Sequence, residues 1–446
     1  MNTSLTRSVP HGVLPGCLLG LLLCAALGAK AETFTVTSLQ DAGPGSLREA
    51  IERANGNPGE DTIRFALSGT LPLKAPLLIK DDLRLDGMGQ RVQLHGGGSV
   101  TMLVLTEPLK RLEVSRLTFL QGHASASTGG AILARGHLVV HESLFTGNVA
   151  PVGGAIYSTG SSLEVSNSTF ADNQALSWGG AIAVSPATLA LITHSTFVNN
   201  TAAQFGGALF QNPIYADQGA SLPGLLPTRA TDAAPRAGAA ALAGAIQVRN
   251  SILSGVSAQG NCSVISNRIV DGGGNLSSDN SCPFSADKGS ASGINPRLGP
   301  LADHGGPTLS FLPLPGSPAV DAGVDRLATA GNGNGLGTDQ RGQRRVTGLR
   351  VDRGAVELQS ADRLALAEPQ PTATATPPDT MAPLGALPAL GLTTPSPRAE
   401  PSTDRPAAAA SDAPATPRKK PVRRKAAADG PTATAFRPDA ATPPKP

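Results

Sequence analysis

Gly153-Gly154-Ala155-Ile156 and, fourteen residues on, Phe170-Ala171-Asp172-Asn173 decide the fold, because both segments recur along the chain at a fixed interval. Gly-Gly pairs stand at 129–130, 153–154, 179–180 and 206–207. The first three continue as Ala-Ile and the fourth as Ala208-Leu209. Phe119, Phe145, Phe170 and Phe197 keep step with them, spaced by 26, 25 and 27 residues. Such a period is the signature of a stacked repeat.

With each Phe as a register mark, apolar columns emerge at a spacing of two. Val114, Val140, Val165 and Ile192 lie five residues before it, and Leu112, Leu138, Leu163 and Ala190 seven before it. Alternation of that kind marks a strand with one buried face. Ser143, Ser168 and Ser195 stand two before the Phe, with Leu117 in the first copy. Asn148, Asn173 and Asn200 stand three after it, with Gly122 in the first copy. After a divergent insertion at 213–243 the register returns at Ile246, Val248, Ser251 and Leu253. About 25 residues of short strands and glycine corners, with no long helix, fit one coil of a solenoid. Each coil would lie roughly 4.8 Å from the last, stacking Phe, Ser and Asn into ladders. The expected fold is all-β: a single-stranded right-handed parallel β-helix of eight or nine coils, about 40 Å long at one strand spacing per coil.

An open solenoid end exposes unpaired strand edges and needs a cap. Ser46-Leu47-Arg48-Glu49 is a capping box, and Leu47, Ala50, Ile51 and Ala54 follow at helical spacing before Asn55-Gly56. A short amphipathic helix is predicted there.

The flanks read differently. Residues 1–31 combine Arg7, an apolar run and Ala29-Lys30-Ala31, the anatomy of a secretory signal. Removing Arg7 and Lys30 from 36 basic residues leaves 34 against 33 acidic ones, which gives no general reason to expect a nucleic-acid partner. No later apolar run is long enough to span a bilayer as a helix. Cys262 and Cys282 remain in an oxidising compartment and read as a disulfide that clips the final coil to a C-terminal module. Of 38 prolines, 18 fall after residue 360, so 361–446 reads as a disordered Pro/Ala/Thr-rich tail. Its basic cluster, Arg418, Lys419, Lys420, Arg423, Arg424 and Lys425, suits electrostatic attachment to an anionic envelope polymer. The layout expected is signal 1–31, cap 32–62, β-helix 63–290, C-terminal module 291–360 and tail 361–446.

Several stretches resemble known families. Thr35-Val36-Thr37-Ser38 with Gly43-Pro44-Gly45-Ser46-Leu47-Arg48-Glu49-Ala50-Ile51 resembles the N-terminal module named for a Cys-Ser-Leu-Arg-Glu run, with Gly45 in place of the Cys. The Gly-Gly-Ala-Ile and Phe-x-x-Asn pairs resemble the repeats of chlamydial polymorphic outer membrane proteins. Leu298-Gly299-Pro300-Leu301-Ala302-Asp303-His304-Gly305-Gly306-Pro307-Thr308, Leu314-Pro315-Gly316-Ser317-Pro318-Ala319-Val320-Asp321-Ala322-Gly323, Asp339-Gln340-Arg341-Gly342 and Asp352-Arg353-Gly354-Ala355-Val356-Glu357 resemble the choice-of-anchor Q domain. Together these resemblances imply a secreted or surface-displayed β-helix with no common catalytic activity. No translocator barrel or wall anchor is legible after the repeats.

Parallel β-helices also host carbohydrate-active enzymes, so the outward columns matter. Only Glu113 and Glu164 share one, two coils and hence roughly 9–10 Å apart, with Val139 between them. They are the weak catalytic candidates, and solvated face positions are the plainer reading. His123, His141 and His194 share no column and read as surface histidines. Asp271-Gly272-Gly273-Gly274-Asn275 and Gly331-Asn332-Gly333-Asn334-Gly335 fit turns as well as Ca2+ loops. Asp339, Arg341, Arg344, Asp352 and Arg353 read as Asp–Arg pairs that pin a cap over the last coil. The expectation is a monomeric, non-catalytic scaffold binding a cell-surface polysaccharide or a host or envelope surface, with no cofactor or metal. The alternative is a lyase or glycosidase acting on an acidic polysaccharide.

Overall fold

A computed structural model describes residues 30–125, 128–211, 244–255, 257–262 and 268–367. The apolar run of the signal, the insertion at 213–243, the greater part of the tail and its basic cluster lie outside them.

Three long parallel sheets, with a short fourth of three strands (Val149–Val152, Gln174–Trp178 and Thr201–Ala202), form a right-handed β-helix. Face A holds nine strands, from Thr33–Val36 through Asp61–Phe65, Leu83–Asp86, Arg111–Ser115, His137–His141, Ser162–Ser166, Leu189–Thr193 and Ile246–Arg249 to Ile269–Gly273. Face B holds eight, from Gly69–Pro72 to Leu276–Ser277, and face C six, from Leu77–Ile79 to Leu209–Gln211. Every pairing between these strands is parallel, coil against coil. Leu112, Leu138, Leu163, Ala190 and Ile246 stack in register, as do Val114, Val140, Val165, Ile192 and Val248. The period therefore places its residues where the spacing predicted, including after the insertion, where Leu253 pairs with Phe197.

Phe119, Phe145, Phe170 and Phe197 form one buried stack on face B, with ring centroids 4.6, 4.7 and 4.9 Å apart and planes within 7°. The Asn column beside it satisfies the turn backbone. Asn148 Nδ2 donates to Asn173 Oδ1 at 2.8 Å and Asn173 Nδ2 to Asn200 Oδ1 at 2.9 Å, while each amide also reaches a carbonyl of the Phe column. The Ser column is a second ladder: the backbone N–H groups of Ser143, Ser168 and Ser195 donate to the hydroxyls of Ser168, Ser195 and Ser251. The polar groups of these two columns are thus paired coil to coil, as burial demands.

Helix α1 (Leu47–Ala54) covers the N-terminal end. Ser46 caps it by accepting from Glu49 N, and Leu47, Ala50, Ile51 and Ala54 are its buried face. Gly45 has φ +74°, and a Cβ there would meet Thr37 Oγ1 at 2.3 Å, so this turn has no room for a side chain.

Cys262 and Cys282 are bonded, with Cα atoms 4.9 Å apart. Cys262 lies beside Leu209 in the face C column, and Cys282 follows the last strand of face B. The bridge therefore ties successive coils together and does not fasten the stack to residues 291–360, a correction to the expected clip. The reason is geometric: Cys262 already occupies a core position of the coil.

Residues 297–358 depart further from expectation. Instead of closing the last coil they form a strap that runs back along the corner between faces A and B. One residue per coil turns that corner in the left-handed region: Arg116, Glu142, Asn167, His194 and Asn250, with φ between 44° and 58°. The strap bonds to several of these corners and to the strand beside them. Val324 N donates to Asn250 Oδ1 at 2.8 Å, Asn167 Nδ2 to Thr338 O at 2.8 Å, Ala355 N to Thr196 Oγ1 at 2.9 Å, and Thr338 Oγ1 to Glu142 Oε1 at 3.2 Å. Farther along, Arg91 pairs with Asp303. The chain then stays ordered past residue 361 in helix α2 (Ser360–Ala367), whose Asp362 pairs with Arg341 at 3.0 Å.

Candidate functional site

Face A and the strap enclose a cleft of about 280 Å³, lined by Arg84, Asp86, Glu113, Ser115, Arg116, His141, Glu142, Ser166, Asn167 and Gly335 to Thr338. The outward columns of face A supply its floor, the left-handed corner supplies Arg116, Glu142 and Asn167, and the strap supplies the far wall.

Its charges are arranged in two layers. Glu113, 8% exposed, accepts from Arg84 and Arg111 at 3.0 and 2.8 Å and faces His141 Nε2 at 3.4 Å. Asp86, 9% exposed, is held by Arg116, which also reaches Glu142. The carboxylates form the inner layer and the guanidinium groups the outer one. Burial by itself pushes the Glu113 carboxyl up, but the hydrogen bond and charge of His141, with the charges of Arg84 and Arg111, outweigh it and hold the pKa at about 2.

The two carboxylates of the expected pair therefore stand in different surroundings. Glu113 is a buried ion-pair centre, not the solvated side chain expected, because two arginines from neighbouring positions close over it. Glu164 shares its column through Val139, as the spacing required. It is half-buried against the strap: residues 329–335 make a hairpin whose Gly331 rests on the Glu164 carboxylate. The Gly331–Gly335 segment is that hairpin tip. Asp271 lies in the last strand of face A, and its oxygens brace the turn that follows by accepting from Gly273 N, Asn275 Nδ2, Ser285 N and Ser290 Oγ.

His123 and His141 are part-exposed, but His194 is wholly buried, against the expectation of a surface histidine. It sits in the corner column under the strap, with Nε2 2.9 Å from Asn250 Nδ2. Burial, then the charge of Arg345, drives its pKa well below the usual imidazole value. Of the Asp–Arg pairs expected in the strap, Asp339–Arg341 forms, at 3.0 Å. Asp352 instead accepts from Asp321 N and Leu358 N, and Arg353 donates to the carbonyls of Ala322 and Gly289. Arg344 is exposed. Glu357, fully buried, has its carboxyl pushed up to about 7 by burial and by the Asp352 charge. Both its oxygens accept backbone N–H groups from Thr347 and Asp352, so this perturbed group is structural.

Sequence reasoning passed over Arg84, Asp86, Arg111 and Arg345. Arg84 and Asp86 lie in coils that precede the Phe register, where no column could be drawn. Arg345, among the largest fully buried side chains, reaches Asn167 across 178 residues, a contact no local pattern encodes.

The Chlamydia polymorphic membrane protein repeat matches residues 142–159 and 167–185. Each matched segment starts at a left-handed corner residue and runs through the Phe, the Asn and the glycine pair to face C. No curated protein matches the chain. Among solved structures, the 1.7 Å crystal structure of jun a 1, the major allergen from cedar pollen, matches with 15% identity over 40% of this chain and 70% of that one, at a TM-score of 0.20. That similarity carries no argument about activity. Two coils of this chain are similar to the chlamydial repeat, and the chain that contains them is a right-handed parallel β-helix.

Proposed function

We propose that the protein is a secreted, surface-displayed β-helix scaffold that binds a glycan or envelope polymer and catalyses no reaction on it. The observation that carries this reading is the state of Glu113 and Glu164. A glycosidase acid must be protonated near neutral pH, which takes a raised pKa. Glu113 at about 2 cannot donate a proton there, and Glu164 lies beneath the hairpin. The repeats similar to those of a polymorphic membrane protein support display at a surface. The signal at 1–31, the resemblance of the start and of the strap to surface-protein modules, and the basic tail agree with that placement.

The test has two arms. Mature full-length protein on a glycan array should retain a defined glycan class. The same protein should release neither reducing ends nor unsaturated products from alginate, pectin or chondroitin, with or without Ca2+. Turnover that disappears in folded Glu113→Gln or Glu164→Gln protein would establish the lyase or glycosidase reading instead.

A further inference from the structure

Among the described residues, the N-terminal coils of face A lie outside the reach of the strap hairpin, and their most exposed outward side chains are arginines. Arg64, Arg84 and Arg111 lie on three successive strands. Arg64 pairs in register with Asp86, Thr62 with Arg84, and Arg84 with Glu113, which stands two residues after Arg111. The three arginines thus step diagonally across the outer surface, with Cα atoms about 8 Å apart from strand spacing and rise.

Their hydrogen-bonding capacity is largely unspent. Arg64 is exposed and, among the described residues, has no ion-pair or side-chain hydrogen-bond partner. Arg84 and Arg111 are 46% and 43% exposed, and each commits one terminal nitrogen to Glu113. Of the acids nearest them, Asp86 and Glu113 are less than a tenth exposed and already engaged, and Asp82, a third exposed, accepts from Arg111 N and pairs with Lys110. An approaching anion meets guanidinium groups first. The middle of the row borders the cleft, where Arg84 is joined by Arg116 and His141. Guanidinium groups with a free edge accept planar or tetrahedral oxyanions in bidentate fashion, and a row of them favours a polymer over a single ion.

We propose that Arg64, Arg84 and Arg111 form a binding strip for a polyanionic polysaccharide, whose carboxylate or sulfate groups engage successive coils of face A. The inference rests on the scaffold reading and gives it a ligand class and a place. It also separates two basic features of the chain, since the cluster at 418–425 is the other candidate for such attachment.

The experiment measures binding of mature full-length protein to immobilised alginate oligomers, dextran sulfate, neutral dextran and duplex DNA at two salt concentrations. Three variants are compared. Arg64→Gln/Arg84→Gln leaves Arg111 and His141 on Glu113, Arg64→Glu removes no protein contact, and the third changes Arg418, Lys419, Lys420, Arg423, Arg424 and Lys425 to Gln. Salt-sensitive binding to alginate or dextran sulfate should fall at least about tenfold in both face A variants, whose folding is checked by circular dichroism, and persist in the tail variant. Carboxylate and sulfate sources are told apart by which polymer binds more tightly. Binding unchanged in the face A variants but lost in the tail variant overturns the strip and leaves the scaffold reading intact. Equal binding to duplex DNA overturns the polysaccharide assignment. No retention of any glycan by the wild-type chain removes both.

Discussion

Gly331 lies so close to Glu164 that a Cβ added to it would sit 2.3 Å from the carboxyl carbon and from Oε2. The strap hairpin and face A are in contact at that point without a side chain between them. The obstacle to a larger residue is the far end of one flexible carboxylate, so the two positions should be coupled. Gly331→Val is expected to lower stability by about 1–3 kcal/mol as overpacking does. Glu164→Ala should recover much of that in the double variant while costing little alone. A double-mutant cycle by thermal denaturation decides it, and additive effects would mean that the hairpin does not rest on Glu164.

Phe170 stacks between Phe145 and Phe197 at 4.7 and 4.9 Å and is fully buried. Phe170→Ala should cost about 3–5 kcal/mol, since neighbours fixed by strand pairing cannot collapse into the cavity. The thermal midpoint should fall far more than for Glu164→Ala. Equal shifts would contradict the placement of the Phe column.

Reduction of Cys262–Cys282 should lower stability by about 3 kcal/mol, because the bond closes a loop of 20 residues. Since both sulfurs sit in the last coils, the loss should appear as earlier exchange of amides in Ile246–Arg249 and Ile269–Gly273, with Arg111–Ser115 unaffected. Hydrogen exchange with and without reductant measures it, and protection lost evenly along face A would count against a local tie.

Two carboxyls should give opposite pH slopes. Glu113 is held near 2 in the fold against an ordinary 4.5, so it stabilises above 4.5 and that contribution is lost as pH falls from 4.5 towards 2. Glu357 is pushed up to about 7, so burying it costs nothing below 4.5 and progressively more as pH rises from 4.5 to 7. Relative to wild type, Glu113→Gln should flatten the acid limb below 4.5, and Glu357→Gln should remove a decline between 4.5 and 7. Urea titrations at a series of pH values report both slopes, and parallel curves for variant and wild type would refute the assignment.

The coils were legible because each position repeats its neighbours' chemistry about 25 residues later, so Phe145 or Asn173 could be read from its column alone. The cap was equally plain, since Ser46 and Glu49 act within one turn. The strap was not. Its contacts join residues such as Arg345 and Asn167 that share no period, and Gly331 or Thr338 carries no sign of which coil it will touch. The candidate carboxylates were found for the right geometric reason, their common column, but their chemistry depends on Arg84 and Arg111 above one and a hairpin over the other. Charge compensation of that kind belongs to the assembled face.

The lateral course of the strap bears on the order in which the molecule comes together. Neighbouring coils meet across about 25 residues, as Asn148 and Asn173 do, whereas Thr338 reaches Asn167 across 171 and Asp303 reaches Arg91 across 212. Local contacts form before distant ones, because closing a long loop costs entropy that only a finished surface repays. Coils can therefore stack as the chain emerges from its N-terminus, each templating the next, while the strap must wait until several coils present their left-handed corners together. Its docking is expected to come late in folding. A chain cut short before residue 300 should still build ladders, yet it would leave the corner side chains of Asn167, His194 and Asn250 facing water, open to proteases that the finished molecule excludes.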